Sequence, residues 1–256
     1  EVKNNCGKMV LLSDNSYKNN LRQIIGSVIY KIKYLNYFNA TWVPGYLGVK
    51  LMKSFGVPKQ EIFQGLYCSN QKLFKKGKTI SKRQKTFLFV GQLIKGKGLI
   101  ELLNSFKNFS KINKNWKLII VGKGPLRKLI PKHNNIKYLG FQKPEEIAKL
   151  MQKSRFLVLP THLDQWPLVV NEATLSGCGL IITDVVGNLP EFSNRKNSII
   201  SKVSSEKSLL SSLVKASKLP DVKLEKMYKE SLRLSSKYVI SNWVKNYYNI
   251  INYLKN

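Results

Sequence analysis

The chain of 256 residues is 43% hydrophobic and carries 44 Lys and Arg against 14 Asp and Glu, a formal net charge of +30. This apolar content suffices for one large or two modest folded domains and excludes a disordered chain. No apolar run approaches the roughly 18 residues of a membrane span and no secretory signal opens the chain, so we expect a cytoplasmic location.

The first third of the chain predicts part of an α/β domain. Strands are expected at residues 9–13 and 41–43, and helices at residues 22–37 and 46–55. Because the chain begins at Glu1 and runs almost at once into an apolar strand, we expect residues 1–80 to be the truncated remainder of an N-terminal domain. The lysine-rich stretch at residues 71–85 is the predicted linker.

Strands and helices then alternate. Strands are predicted at residues 86–90, 116–121, 136–139, 156–159 and 180–183, and helices at residues 99–109, from Pro144, and at Leu168–Leu175. This spacing implies right-handed βαβ crossovers and a parallel sheet. We therefore expect a Rossmann-like domain over residues 81–225.

The chain after residue 205 has a helical pattern. Residues 226–256 are expected to form C-terminal helices, and the last helix carries an apolar stripe that should pack on another element. The stripe comprises Trp243, Val244, Tyr247, Tyr248, Ile251 and Leu254.

The three cysteines argue against a stabilising disulfide framework. Cys6, Cys68 and Cys178 are far apart in the sequence and no histidine cluster accompanies them, so reduced thiols and no zinc site are expected. No Asp-x-Asp pair is present either. We predict no metal and no other cofactor.

The charge admits two functional interpretations and one compositional one. Clustered lysines bind nucleic acid, but here lysines are scattered beside asparagines, without a recognition motif or a basic and aromatic stripe. A Lys and Asn bias is also a feature of codon composition. The third interpretation is attraction to an anionic membrane surface, to which each lysine contributes on the order of 1 kcal/mol.

Two carboxylates eight residues apart mark the most informative segment. Asp164 follows the apolar run at residues 156–159, and Glu172 lies about one turn inside the next helix, leaning toward its N-terminus. Loops at the carboxyl ends of parallel strands are where ligands bind in doubly wound sheets. Both carboxylates are therefore expected to face one ligand, the alternative being a solvated Asp and a capping Glu.

Glycine-rich loops follow two earlier strands. The first, at residues 91–98, has three glycines with Lys95 and Lys97, and the second contains Gly122 and Gly124. Glycine lets backbone approach a ligand closely, and lysine supplies a point charge for phosphate. A plain βα turn explains either loop alone, whereas their joint position on one rim favours a binding site.

These motifs resemble the large retaining group of GT-B glycosyltransferases, of the group 1 or family 4 type. The resemblance rests on the loop at residues 90–98, the turn at 121–125, the carboxylate pair, and residues 183–191; it extends more weakly over residues 35–70. It implies a metal-independent enzyme that moves a hexose-type sugar from a nucleotide-diphosphate sugar to an acceptor hydroxyl with retention. The acceptor is expected to be a lipid-linked or polysaccharide saccharide of the cell envelope.

The resemblance also implies roles for particular residues. Asp164 would contact donor-sugar hydroxyls, Glu172 the ribose, and Lys97 the phosphates. The donor site would further include Gly91, Gln92, Gly122, Gly124, Phe141, Trp166, Pro167 and Leu168. Phe141 would lie near the base, the alternative being a core residue at a strand end. The last helix would cross back to the N-terminal, acceptor-side domain.

Three residues depart from the family pattern. Asp164 replaces the usual Glu, Pro167 replaces a frequent Gly and removes an amide donor, and Gln92 replaces an Arg. Lys95 would compensate for the lost charge only if it turned inward. Two other outcomes stay open: a basic nucleic-acid-binding protein, and a fragment that binds donor without transferring sugar.

Overall fold

A computed structural model describes residues 7–255. In chain order, the elements are β1 Val10–Leu12, α1 Leu21–Lys33, β2 Ala40–Val43, α2 Tyr46–Ser54, β3 Ile62–Gln64, β4 Gln84–Val90, α3 Leu99–Ile112, β5 Lys117–Val121, β6 Ile136–Tyr138, α4 Pro144–Lys153, β7 Ser154–Leu159, α5 Leu168–Leu175, β8 Gly179–Thr183, α6 Leu189–Phe192, β9 Ser198–Ser201, α7 Glu206–Ser217, α8 Asp221–Ser235 and α9 Ile240–Lys255. These strands form two sheets whose strand pairs are parallel.

The larger sheet has six strands in the order β6-β5-β4-β7-β8-β9. Its central strands are continuous apolar runs with both faces covered, as parallel strands between helix layers require. The predicted helix at residues 99–109 is confirmed as part of α3, and its apolar face is buried in the core of this unit; the residues of that face are Leu99, Leu102, Leu103, Phe106 and Phe109. The strand order reverses between β4 and β7, which makes that edge the topological switch point of a Rossmann-like sheet.

The described chain divides into two compact units, whose limits differ from the expected ones. The second unit is Ser69–Ser236, and the first consists of the residues up to Cys68 together with those from Lys237 on. Residues 71–85 are therefore not a linker: Phe74, Ile80 and Arg83 are buried in the second unit. The Arg83 guanidinium donates to the carbonyls of Met151, Ser154 and Ser176. These tertiary contacts could not be predicted from the lysine-rich sequence around Arg83.

The smaller sheet belongs to the first unit and has the order β1-β2-β3. Helix α9 packs on it, with the Trp42 and Trp243 rings 5.1 Å apart and the indole of Trp243 donating to the Leu66 carbonyl. The expected stripe of α9 is only partly correct. Ile250, which it omitted, is the buried residue, while Tyr248 is exposed, because the packing face is centred one position away from the predicted stripe.

Two strands, β3 and β9, were not expected. Each is only three or four residues long and pairs at the end of its sheet, so its sequence carries little periodicity. Among residues 7–255, no helix combines the length and the hydropathy that a bilayer crossing requires. Cys68 and Cys178 are free, and burial raises the pKa of the Cys178 thiol; Cys6 lies outside the described residues.

Candidate active site

The loop after β4 carries Lys97 to the switch point. It forms a single 3-10 turn at Lys95–Lys97, and Gly98 then adopts a left-handed conformation that starts α3. A Cβ atom at position 98 would overlap the carbonyl oxygen of Pro160, so only glycine lets this loop lie against the end of β7. The close approach fixes where the Lys97 side chain begins.

Lys97 and Asp164 form an ion pair across the switch point. The ammonium contacts one carboxylate oxygen, and both side chains are largely buried. The Asp164 loop is itself held by the segment after β8, because the Gly187 amide donates to the Asp164 carbonyl at 2.8 Å. The first carboxylate of the sequence motif therefore contacts the lysine of the glycine loop.

His162 joins the same two loops and was not assigned a role from the sequence. Its amide donates to the Gly96 carbonyl at 2.8 Å, and its ring Nε2 lies 2.7 Å from Glu101 Oε1. The Thr161 hydroxyl also donates to the Gly96 carbonyl. A histidine in a predicted loop is expected to be solvated, and the residues around His162 do not indicate that Glu101, 61 residues away, is its partner.

The N-terminus of α5 follows Asp164 directly. Pro167 is the N-cap residue, and its carbonyl accepts a hydrogen bond from Asn188 Nδ2 at 3.0 Å. Trp166 packs on Phe192 with ring centroids 5.8 Å apart, and Leu168 is exposed. The first amides of a helix have no intrahelical partner and carry about half a positive charge, which suits an anion.

Glu172 lies in the second turn of α5. Burial raises the pKa of its carboxyl to about 7, from an ordinary value of 4.5. Protein contacts thus leave the charged form poorly solvated. A polar ligand that donates hydrogen bonds to this carboxylate would offset that cost.

A cavity of about 590 Å³ lies beside the ends of β4, β5 and β6. Its volume suits a small ligand. The cavity brings together five residues predicted for the donor site, namely Gly91, Gln92, Gly122, Gly124 and Phe141. Lys97, Asp164 and Glu172 do not line it.

The rim of this cavity is shaped mainly by backbone. The amides of Gly91 and Gly122 donate to the carbonyls of Val121 and Gly140, which joins the three loops in sequence along the sheet edge. Phe141 is not a core residue, because 63% of it is exposed. Lys123, missed by the sequence analysis, places its ammonium 5.1 Å from the centre of the Phe141 ring.

Lys95 does not compensate for the charge that Gln92 lacks. Gln92 lines the cavity without a charge, and Lys95 is exposed on the chain surface. Lys123 therefore supplies a cation at the cavity, and Lys97 supplies one at the switch point. In the part of the chain that the structure describes, no three His, Cys, Asp or Glu side chains are grouped to hold a metal ion.

The chain is similar to curated proteins that are named as glycosyltransferases. It is 24% identical over 216 residues to the N,N'-diacetylbacillosaminyl-diphospho-undecaprenol alpha-1,3-N-acetylgalactosaminyltransferase of Campylobacter jejuni, covering 77% of this chain and 55% of that protein. An uncharacterized glycosyltransferase of Methanocaldococcus jannaschii, MJ1059, is 34% identical over 123 residues, 45% of this chain and 30% of that one. The chain thus spans about a third to about half the length of the curated relatives it matches.

Solved structures support the fold. Anabaena Alr3699/HepE, in complex with UDP and glucose, superposes with a TM-score of 0.75 at 13% identity, covering 100% of this chain and 73% of that chain. The expected α/β fold of GT-B type with a Rossmann-like C-terminal sheet is therefore confirmed. The first unit contributes a smaller sheet of three strands. A family model matches residues 70–234, more than half of the chain, and the chain accordingly belongs to the family of glycosyl transferases group 1.

Proposed function

We propose that the second unit binds a nucleotide-diphosphate sugar and that the chain takes part in transferring this sugar to an acceptor hydroxyl. The observation that carries the proposal is the Lys97–Asp164 pair at the switch point, directly before the N-terminus of α5. A cation and a helix N-terminus can bind the two phosphates of a sugar diphosphate. The carboxylate beside them can accept hydrogen bonds from the hydroxyls of the sugar.

The diphosphate would be bound by Lys97 and the first amides of α5. An ammonium has three N–H donors, so Lys97 can keep its contact with Asp164 while it donates to phosphate oxygens. The amides at Leu168 and beyond add the positive end of the helix dipole, whereas Pro167 has no amide proton to offer. These groups stabilise the negative charge that grows on the diphosphate as the sugar leaves.

The other groups of the site are assigned to parts of the donor by their chemistry. Asp164 accepts hydrogen bonds from sugar hydroxyls, and Glu172 accepts them from the ribose. The base occupies the cavity lined by Gly91, Gln92, Gly122, Gly124 and Phe141. Support for this division comes from the position of the carboxylates: the cavity is lined mainly by backbone and apolar side chains, with Lys123 beside the Phe141 ring, while Asp164 and Glu172 lie on the segment that begins after β7.

In the proposed reaction, the bond between the anomeric carbon and the diphosphate oxygen breaks and one to the acceptor oxygen forms. The O–H bond of the acceptor breaks as well, and its proton passes to the departing nucleotide diphosphate. We propose retention of anomeric configuration, with Lys97 and the helix end taking the place of a metal ion. Transfer that persists in excess EDTA would support metal independence. Proton NMR of the product, from a donor of known anomeric configuration, would test retention.

The acceptor is proposed to be a lipid-linked or polysaccharide saccharide. Support comes from the Campylobacter relative, which is named for transfer to a diphospho-undecaprenol-linked sugar. The free thiols of Cys68 and Cys178 favour a reducing compartment, consistent with our expectation of a cytoplasmic site of action.

The experiment that tests the donor site is a panel of nucleotide sugars measured by thermal shift and calorimetry. A bound donor at 100 times its Kd should stabilise the folded state by about 2.7 kcal/mol. Lys97→Ala should abolish this gain, whereas Lys95→Ala, a neighbouring exposed lysine, should preserve it. If no nucleotide sugar stabilises the chain, the proposed function is wrong.

Binding and transfer are tested separately. A chain that binds donor in this panel but transfers no sugar to any lipid-linked acceptor would be a donor-binding fragment. Salt-dependent filter binding of duplex DNA without any nucleotide-sugar response would instead favour the nucleic-acid alternative.

A further inference from the structure

Asn188, on the segment after β8, turns its side chain toward the start of α5. Its Nδ2 donates to the Pro167 carbonyl at 3.0 Å, and the residue is fully buried. Asn188 is also the N-cap residue of the short helix α6, where an asparagine side chain ordinarily accepts from the helix amides. No such bond forms here, and its Oδ1 is buried without a partner among residues 7–255. The side chain therefore serves α5 instead of its own helix.

The hydrogen bond to Pro167 has an unambiguous direction. A carbonyl oxygen only accepts, so the group that faces it must be the NH2 of the Asn188 amide. The same carbonyl also accepts from the Val170 amide at 3.0 Å, in the first turn of α5. Because a carbonyl oxygen has two lone pairs, it can hold both bonds, and α5 can form without Asn188. The unpaired Oδ1 costs free energy of folding, so stability alone does not account for an asparagine here.

The bond from Asn188 holds the one soft rotation of the Pro167–Leu168 peptide. The proline ring fixes φ at −67°, which leaves the ψ angle, 106°, to set where this peptide points. In a trans peptide the carbonyl and the following amide point in opposite directions, so holding the Pro167 carbonyl also directs the Leu168 amide proton. A hydrogen bond to the carbonyl polarises the peptide and makes that amide a stronger donor.

Two further contacts tie the same two segments together. On one side of Asn188, the Gly187 amide donates to the Asp164 carbonyl at 2.8 Å. On the other side, the Phe192 ring packs on Trp166 with centroids 5.8 Å apart. The segment after β8 thus supports the loop before α5 at three places, and the Asn188 contact reaches the first peptide of the helix.

We propose that Asn188 is a positioning residue of the diphosphate site. It orients and polarises the Pro167–Leu168 peptide so that the Leu168 amide donates to the terminal phosphate, while the buried Asn188 side chain itself touches no ligand. The direction of the Leu168 amide matters more because Pro167 has no amide proton. This inference rests on the proposed function, since it requires a diphosphate at the start of α5.

The test compares the affinities of nucleoside diphosphates and monophosphates by calorimetry. The probes are UDP, GDP, ADP and CDP, each beside its monophosphate, which lacks the terminal phosphate. The unchanged chain should bind at least one diphosphate on the order of a hundredfold more tightly than its monophosphate, because Lys97 and the helix start contact the added phosphate. Asn188→Ala should reduce this ratio about tenfold and change the monophosphate affinity less than about twofold.

A second variant keeps the size of the side chain. Measured at about pH 8, where its carboxyl is ionised, Asn188→Asp cannot donate to the Pro167 carbonyl and should lose at least as much of the ratio.

Asn197→Ala is the matched control. Asn197 is as buried as Asn188, and its Nδ2 also donates to a backbone carbonyl, that of Phe192, at 2.8 Å. This substitution should lower the free energy of unfolding in urea as Asn188→Ala does, because each removes a buried hydrogen bond, and it should leave the ratio of affinities unchanged.

The outcomes separate failure of this inference from failure of the proposed function. A ratio that both Asn188 substitutions leave unchanged would overturn the role of Asn188 and leave the donor site standing. Equal weakening of diphosphate and monophosphate, or an equal loss of the ratio in Asn197→Ala, would make Asn188 a structural residue only. A chain without affinity for any of the diphosphates would overturn the proposed function, and this inference with it.

Discussion

Two parts of the carboxyl edge of the six-stranded sheet offer different groups for binding a ligand. At the switch point, Lys97 and Asp164 present charged groups beside the first amides of α5. At the cavity beside β4, β5 and β6, glycines bring backbone atoms together and Phe141 adds an aromatic surface. The first part suits the charged diphosphate and the sugar, and the second suits a flat, weakly polar base.

The difference teaches where single substitutions should act. A side chain whose charge is presented to the ligand, such as that of Lys97, should show its loss chiefly in catalysis. A glycine at a close backbone contact cannot accept a side chain, so its replacement should appear in stability. Both effects can be measured against a neighbouring residue of the same type.

The largest effect is expected at Lys97. Removing one preorganised donor to a developing negative charge costs about 2.7 to 4 kcal/mol, so Lys97→Ala should lower kcat/KM at least about a hundredfold. Lys95→Ala in the same loop should change it less than about threefold, because Lys95 is exposed. Steady-state transfer kinetics measure both. Equal effects of the two substitutions would remove Lys97 from the mechanism.

A second expected effect is pH dependence set by Glu172. Because burial raises the pKa of its carboxyl from 4.5 to about 7, the folded state holds this proton more tightly than the unfolded chain does. Its contribution to the free energy of unfolding is therefore full below pH 4.5 and is lost as the pH rises through about 7. The loss should total about 3 kcal/mol.

Urea denaturation across this window would measure the loss. The stability of the unchanged chain, relative to Glu172→Gln, should fall as the pH rises, because the glutamine does not titrate. Parallel stability curves for the two proteins would show that Glu172 is better solvated than its burial implies. A saturating nucleotide sugar should reduce the fall, since ribose hydroxyls would stabilise the carboxylate.

At the cavity, Gly122→Ala should reduce the free energy of unfolding by at least about 2 kcal/mol. The new Cβ atom would overlap the Gly91 carbonyl oxygen, at a φ of 142° that side chains rarely adopt. Gly96→Ala is the matched control, because its Cβ would meet nothing within 4 Å. Chemical denaturation should separate the two variants, and similar stabilities would mean that the loops after β4 and β5 can move apart.

The sequence predicted the central sheet well and its surroundings less well. Apolar runs between turn residues located β4, β5, β7 and β8, because a strand buried on both faces has few polar residues. Residues 71–85 were misassigned as a linker because their tertiary role depends on Arg83 and a few buried apolar side chains among many lysines. Helix α1 was expected, but periodicity cannot say which way an apolar face points.

The candidate site could likewise be predicted only in part from the sequence. Spacing and resemblance identified Lys97 and Asp164, and the structure brings them into contact. The contact of His162 with Glu101 joins residues far apart in the sequence, so only the fold reveals it. Lys123 was passed over because its importance depends on the ring of Phe141, which the sequence left either in the core or at the base.

The smallest expected effect is at Phe141. Stacking of a base on an aromatic ring contributes about 1 to 3 kcal/mol, and this ring is exposed, so we expect the lower end: Phe141→Ala should weaken nucleotide binding about fivefold. Phe141→Leu keeps an apolar surface without a ring and should recover little of that affinity if stacking is the cause. Leu129→Ala, an exposed residue of the same unit that does not line the cavity, should leave the calorimetric Kd unchanged. Full recovery in Phe141→Leu would mean that the cavity holds the base by apolar contact alone, and unchanged binding in Phe141→Ala would move the base away from the ring.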